Sequence, residues 1–271
     1  MTARLLHVSD LHSGRREAPE VPTALAALVS ELRPELLLAT GDLSHRGTRE
    51  QLVRAREVLS EVGIPTLAVP GNHDIPYTFP ARFTRPWALW EEVFGPIAVT
   101  HRSDRLVVVG LNSVRPWRHQ SGRLAPAELE RAAHELHDVP AGALRLVACH
   151  HHLAGSPWRA ARKRPLADRD GALETLSAAG AEIVAGGHIH QASVAERKEF
   201  DVVDAAPASS TVVVTAPGLG RPRPHRHGEA QGLLLYEWDE RELAIVTYIW
   251  HGAGFVATAR RVFPRRRAAS D

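Results

Sequence analysis

Short apolar runs alternate with amphipathic stretches along the first part of the chain. Leu5 to Ser9, Leu36 to Thr40 and Thr66 to Pro70 are too short for helices and too apolar for loops, so they predict buried strands. Between them, Thr23 to Leu32 and Thr48 to Val62 repeat apolar residues at helical spacing. This βαβαβ order predicts parallel strands joined by crossover helices. From Ile75 to Phe94 the pattern breaks. Pro76, Pro80 and Pro86 interrupt it and Trp87 and Trp90 add bulk, which predicts a long loop leading into a short helix. A strand over Arg105 to Leu111 follows, then a polar, Trp-containing loop over Arg115 to Arg123. Ala127 to His137 is expected as a helix, Leu144 to Cys149 as a strand, Gly171 to Ala179 as a helix and Ala181 to Ala185 as a strand.

The final third changes character. Thr211 to Thr215, Gly232 to Trp238 and Leu243 to Trp250 read as strands with turns between them and no clear helix. They predict a second, antiparallel sheet packed on the first. The expectation is one domain over residues 1–271, with a β-rich part from about residue 192 on the same core. The Arg-rich tail from Arg260 to Asp271 is expected to fray.

Composition narrows the field. With 271 residues the chain can bury a sizeable core. A net charge of +2 gives no global field toward nucleic acid or membrane. The lysines are Lys163 and Lys198; almost all other basic charge is Arg. The lone Cys149 excludes an internal disulfide and fits a reducing, cytoplasmic setting. The start runs directly into a strand, with no apolar segment of signal type and none long enough to span a bilayer.

Five motifs, each at the end of an apolar run, change the picture from fold to chemistry. They are Asp10-Leu11-His12, Gly41-Asp42 with Gly47 after it, Gly71-Asn72-His73-Asp74, Cys149-His150-His151 and Gly187-His188-Ile189-His190. Asp, Asn and His hold hard or borderline divalent metals. Open α/β sheets bind ligands at the carboxyl ends of parallel strands. Asp10 and His12 can reach one ion if the chain turns between them. Asp42 can bridge two ions with its two oxygens, Asn72 offers an amide oxygen, and His150, His188 and His190 offer imidazoles. Two ions about 3.5–4 Å apart would clamp an attacking hydroxide and the phosphoryl oxygens of an in-line displacement. Taken singly, Asp10, Asp42 and Asn72 read equally well as turn or cap residues, and the histidines as a polar turn. Five such coincidences in one order do not.

The segments DLH, GDLSHRG, GNHD, CHH and GHIH resemble the calcineurin-like metallophosphoesterase superfamily, over roughly the whole chain. GNHDIP, Gly110 to Ser113 and Leu153 after the histidines are most similar to its bacterial cyclic-nucleotide-phosphodiesterase-like branch. The resemblance implies a four-layer αββα sandwich, an α/β (α+β) fold of two mixed β-sheets flanked by helices. It implies one ion on Asp10, His12, Asp42 and His190, and a second on Asp42, Asn72, His150 and His188, with His151 the alternative to His150. The ions would be Mn²⁺, Fe²⁺ or Fe³⁺, Co²⁺ or Zn²⁺. His73 would contact the phosphoryl group and protonate the leaving alkoxide, and Asp74 would steady the motif. This chain departs from many relatives with His45 in place of Asp or Asn, and with His152 in place of Pro.

Around this centre, Arg115, Trp117 and Tyr77 are candidate substrate contacts, beside Asn72 and His73. The expected reaction is hydrolysis of a small phosphodiester, a cyclic nucleotide or small organic diester. No Lys or Arg in the motifs is evident to neutralise the second charge of a monoester. The alternatives are a phosphomonoesterase, a nuclease using Arg82, Arg85, Arg115, Arg118 and Trp117 as a basic stripe, and a non-catalytic scaffold. The partners expected are a small phosphate ester and, as one oligomeric option, a second copy in a homodimer, with no membrane and no nucleic acid. Cys149 and His7 read as packed interior residues, His134 and His137 as solvated helix positions, and Arg159 to Arg164 and Arg265 to Arg267 as solvated surface. His225 and His227 lie in a loop that the family puts near the site.

Overall fold

Two six-stranded sheets face each other. The computed structural model describes residues 2–15, 18–154, 163–200, 211–223 and 228–265. In chain order the elements are β1 (Ala3–Val8), α1 (Glu20–Leu32), β2 (Leu36–Ala39), α2 (Arg49–Ser60), β3 (Thr66–Ala68), α3 (Ala81–Thr84), α4 (Ala88–Phe94), β4 (Val99–Arg102) and β5 (Leu106–Gly110). They continue with α5 (Pro126–His137), β6 (Leu144–Ala148), α6 (Arg169–Ala178), β7 (Ile183–Gly186), β8 (Ser193–Glu196), β9 (Val212–Thr215), β10 (Gly232–Trp238), β11 (Glu242–His251) and β12 (Gly254–Pro264).

The first sheet has the order β12-β11-β10-β1-β2-β3, and the second β4-β5-β6-β7-β9-β8. β1, β2 and β3 are parallel, as are β5, β6, β7 and β9, so both sheets are mixed. Alternation along each strand sorts its residues into layers. Leu5, Leu38, Val108 and Leu146 meet between the sheets. Their neighbours Leu6 and Leu37 turn outward to Leu25 of α1, Leu52 of α2 and Trp90 of α4. Val107 and Val147 turn outward to Ala132 of α5 and Leu173 of α6. Because helices cover both outer faces, β2 and β5 are buried along their whole length, which is why they read as unbroken apolar runs. The result is the αββα order that the resemblance implied.

The helices start where local chemistry allows. Thr48 caps α2 by accepting from the Gln51 amide, and Pro126 opens α5, where no amide partner is needed.

The β-rich final third does not form the separate antiparallel sheet expected for it. β10 pairs antiparallel with β1 and extends the first sheet through β11 and β12, while β9 enters the second sheet beside β7. Leu233 to Tyr236 are buried on both faces, so β10 needs cover on both sides and takes a central place. The tail does not fray from Arg260 either. β12 pairs with the long β11 as far as Pro264. Arg265, expected on the solvated surface, is an ion pair with Glu182 at 2.9 Å, its side chain 4 % exposed. Residues 266–271 lie outside the described part. The edge strands β4 and β8 went unpredicted because their half-polar sequences carry no buried run. Among the described residues no helix is long and apolar enough to cross a membrane.

Candidate metal centre

The carboxyl ends of β1, β2 and β3 from one sheet, and of β6 and β7 from the other, converge on a single seam. Hydrogen bonds stitch the seam together. The His188 amide donates to Asp10 Oδ2 at 2.8 Å, and His150 Nδ1 lies 2.7 Å from the Thr40 carbonyl, each joining one sheet to the other. Asp10, His12, Asp42, His188 and His190 all have positive φ, between 51° and 74°. Only two other described non-glycine residues, Arg33 and Asp168, do so. Left-handed backbone is uncommon for non-glycine residues, though Asp and His enter it more readily than most, and it is concentrated here at the strand ends. Gly71 is required at its position, since a Cβ there would come within 2.1 Å of the Asp42 amide nitrogen.

The donor atoms of the predicted ligands fall into two clusters, and a third group, His12 with His45 and His73, adjoins them. Asp10, His12 and His190 form one, with His190 Nε2 3.1 Å from Asp10 Oδ1 and 3.2 Å from His12 Nε2. Asp42, His150 and His188 form the other. There His150 Nε2 lies 3.3 Å from Asp42 Oδ1, 3.1 Å from Asn72 Oδ1 and 3.0 Å from His188 Nδ1. Asp42 also faces the first cluster, its Oδ2 3.9 Å from His12 Nε2. All seven ligand candidates therefore come together, with Asp42 between the two groups.

The fit to cations is visible in what the carboxylates lack. Asp10 Oδ1 and Asp42 Oδ2 are buried and accept no hydrogen bond, although their partner oxygens are satisfied by Ser9 and His188, and by the His73 amide. A buried carboxylate oxygen without a donor is costly unless a cation meets it. Burial opposes ionisation of Asp10 and Asp42, but His190 beside the first and His150 beside the second outweigh it and hold both below the usual range. Burial pushes His12 down to about 3 and holds His188 well below the ordinary imidazole value. Neutral imidazoles beside ionised carboxylates are the states that metal ligation needs. Burial also works against protonation of His150, but the Asp42 charge outweighs it and raises His150 to about 9.

The remaining candidates sort differently. His73 sits beside both clusters with its Nδ1 2.8 Å from the His45 carbonyl, which leaves Nε2 free to face a ligand. Asp74 does not face the centre. It is fully buried and accepts from the amides of Gly71 at 2.8 Å and Ser44 at 2.7 Å, tying the loop after β3 to the loop after β2. Burial lifts its carboxyl to about 6. His151 belongs to neither cluster, and its Nδ1 turns to Ser113 Oγ at 2.8 Å.

Tyr77 and Trp117 stand exposed on the two loops beside the site, Trp117 at 69 %. Arg115 directs its guanidinium to the carbonyls of Val114 and Asn112 in its own loop, away from a substrate role. Arg82 is buried and bonds Pro116 and Pro76 carbonyls, clamping these loops together, so it joins no basic stripe. Cys149 is buried with its thiol pushed up to about 12, and His7 is buried between Tyr236 and Thr40. His225, His227 and residues 159–162 lie outside the described residues.

Sequence reasoning put Lys163 on the solvated surface, named His45 only as a departure from relatives, and missed the other neighbours of the centre. Lys163 is half-buried, and its Nζ donates to the His188 carbonyl. His45, Arg15, Arg221 and Arg223 line a recess with His12, His73 and His190. The Gln120 carbonyl lies 3.1 Å from His188 Nε2 and fixes that ring. Apart from His45, which stands in the GDLSHRG segment, none carries a sequence signal, because each reaches the seam from a loop whose place is set only by folding.

The calcineurin-like phosphoesterase family matches residues 3–192, and the chain belongs to that family. It is 34 % identical over 84 residues to a probable cyclic nucleotide phosphodiesterase of a Synechococcus strain, covering 28 % of this chain and 33 % of that one. It is 25 % identical over 190 residues to a probable glycerophosphodiester phosphodiesterase of Arcobacter nitrofigilis, covering 67 % of this chain and 66 % of the relative. The matched part thus spans a third to two thirds of these relatives' lengths. Among solved structures, a purple acid phosphatase from yellow lupin superposes with a TM-score of 0.72 at 12 % identity, covering 98 % of this chain and 54 % of that one. A dimetal phosphatase from Danio rerio superposes with a TM-score of 0.62 at 13 % identity, covering 94 % of this chain and 98 % of that one. These two likenesses concern the fold.

Proposed function

We propose that the protein is a binuclear-metal hydrolase of small phosphodiesters. The observation that carries the metal reading is the pair of orphaned, buried carboxylate oxygens on Asp10 and Asp42, both facing the His12 imidazole. In this reading Asp10, His12, Asp42 and His190 hold one divalent cation, and Asp42, Asn72, His150 and His188 the other. Mixed oxygen and nitrogen ligation without thiolate suits Mn²⁺, Fe, Co²⁺ or Zn²⁺. Bound there, the two cations supply charge for the phosphoryl oxygens and activate water for in-line attack.

The protein's own residues do the rest. His73, with Nδ1 spent on the His45 carbonyl, offers Nε2 to the leaving oxygen and gives it a proton. Asp74 positions His73 by locking the loop that carries it. In this reading the exposed rings of Tyr77 and Trp117, on loops that flank the centre, are offered to an organic arm of the substrate.

The charge argument for a diester does not survive the fold, since Lys163 and three arginines approach the centre. What supports a diester is the similarity to proteins named as phosphodiesterases, together with two unlike walls. The loop of Trp117 reaches His188 through Gln120, whereas the arginines gather beside His12 and His190. A diester has two arms for two walls; a monoester has one. The Lys163 amine favours a phosphomonoesterase as the second reading. On Mn²⁺-loaded protein, bis-p-nitrophenyl phosphate should exceed p-nitrophenyl phosphate in kcat/KM. A clear preference for the monoester moves the assignment to a phosphatase.

A further inference from the structure

The recess beside His12 is more basic than a simple diester requires. His12, Arg15, His45, His73, Arg221 and Arg223 line it, and among the described residues no acidic side chain does. Two of the arginines are oriented from behind. Glu229, its carboxyl fully buried, accepts from the Arg223 amide and Nε at 2.8 Å each. Glu20 accepts from Arg221 Nη2 at 2.8 Å. Arg15 is exposed and makes no ion pair among the described residues. Two divalent cations already balance the carboxylates of Asp10 and Asp42, one hydroxide and a singly charged diester. Glu229 and Glu20 offset two of the guanidinium charges, so Arg15 is the charge that lies beyond that balance.

We propose that the recess binds a second anionic group, a carboxylate or phosphate carried by the leaving alcohol. The inference rests on the diesterase reading above and names its substrate class. His73 lines the same recess, and the arm it protonates is the one that leaves, so the leaving arm lies here. A guanidinium fork matches the two oxygens of a carboxylate or phosphate, and an arginine already held by an acid loses less freedom on binding. The loop that carries Trp117 meets the centre elsewhere, through Gln120 at His188, and is left for the arm that stays on phosphorus.

A matched pair of substrates isolates the extra charge. The ethyl phosphodiesters of glycerol phosphate and of phosphoglycerate share a skeleton and differ by one carboxylate. Their cleavage by Mn²⁺-loaded protein is followed by phosphorus NMR, and binding of the two parent monoesters is measured by calorimetry. The phosphoglycerate compound is expected to be preferred about tenfold or more at low salt in both measurements, with the preference shrinking as salt screens it. In the doubly substituted Arg15→Ser, Arg221→Gln protein the ratio should fall to within about twofold of unity. Both side chains are exposed, and an unchanged melting temperature verifies the fold. No preference in the unsubstituted protein, or one that survives the double substitution, overturns the proposal. If neither diester is cleaved while phosphoglycerate still binds preferentially through the arginines, the recess stands and the diesterase reading falls. If both are cleaved equally, the diesterase reading stands and the recess proposal fails.

Discussion

The two ends of the metal centre are built by different means. At the inner end, Asp42, Asn72, His150 and His188 are almost wholly buried. Each imidazole there is oriented by a backbone carbonyl, His150 by Thr40 and His188 by Gln120. At the outer end His12 is 16 % exposed at the side chain, its Nδ1 has no partner, and it opens onto the arginine recess. The inner end is fixed by the meeting of the two sheets. The outer end depends on short loops after β1 and β7 and has solvent at its side. Rigidity and access are therefore separated: one cluster of candidate ligands is preorganised within the core, and the other opens toward solvent.

The largest expected effect breaks both ends at once. Asp42 stands between the two clusters, and Asp42→Asn removes the charge that keeps two cations from repelling each other. Metal content should fall at both sites and turnover by on the order of a thousandfold or more. Two retained ions with near-normal rates would remove Asp42 from the bridging role.

His73→Ala tests chemistry apart from metal holding. Metal content should stay intact while esters with poor leaving groups slow by about 10²–10⁴-fold, and p-nitrophenolate esters slow much less. Uniform slowing across leaving groups would argue against proton donation. The comparison of the ends is sharpened by graded chelation. The ion at His12 and His190 should leave first, at a chelator concentration lower by about tenfold or more than the ion at His150 and His188. Simultaneous loss of both would mean that the two ends are equally accessible.

The smallest effect concerns the floor of the inner end. His7 bonds Thr40 Oγ1 at 2.8 Å, and Thr40 in turn holds His150. Burial pushes His7 down from 6.5 to about 3. The unfolded chain takes up a proton near the upper value that the folded protein refuses until the lower one. The stability due to neutral His7 is thus complete above the upper value and is lost as pH falls toward the lower one. The gap in denaturant midpoint between the unsubstituted protein and His7→Gln should narrow over that window. A gap independent of pH would show that His7 does not carry this acid sensitivity.

Much was legible from the sequence because it is local. A buried parallel strand must be apolar on both faces, so Leu36 to Ala39 and Leu106 to Gly110 were visible as runs. A ligand next to such a run must lie at a strand end, which is how Asp10, Asp42 and His150 could be named together. The family's pattern supplied the choice of His150 over His151; in the fold His150 lies with Asp42 and His188, while His151 turns to Ser113. Edge strands such as Val99–Arg102 were not legible, since one exposed side removes the signal. Nor was the place of the β-rich final third, because pairing partners are chosen by burial on two faces at once, as at Leu233 to Tyr236.

The sequence by itself determined the inventory: which residues could hold cations, in what order, and at which strand ends. Only the tertiary structure decided what surrounds them. Charge acts through space, not along the chain, so Lys163 and the recess of Arg15, Arg221 and Arg223 came near the centre only when their loops folded over it. For the same reason Arg115 and Arg82, close to the cleft in sequence, became structural clamps when carbonyls at hydrogen-bonding distance claimed their guanidinium groups.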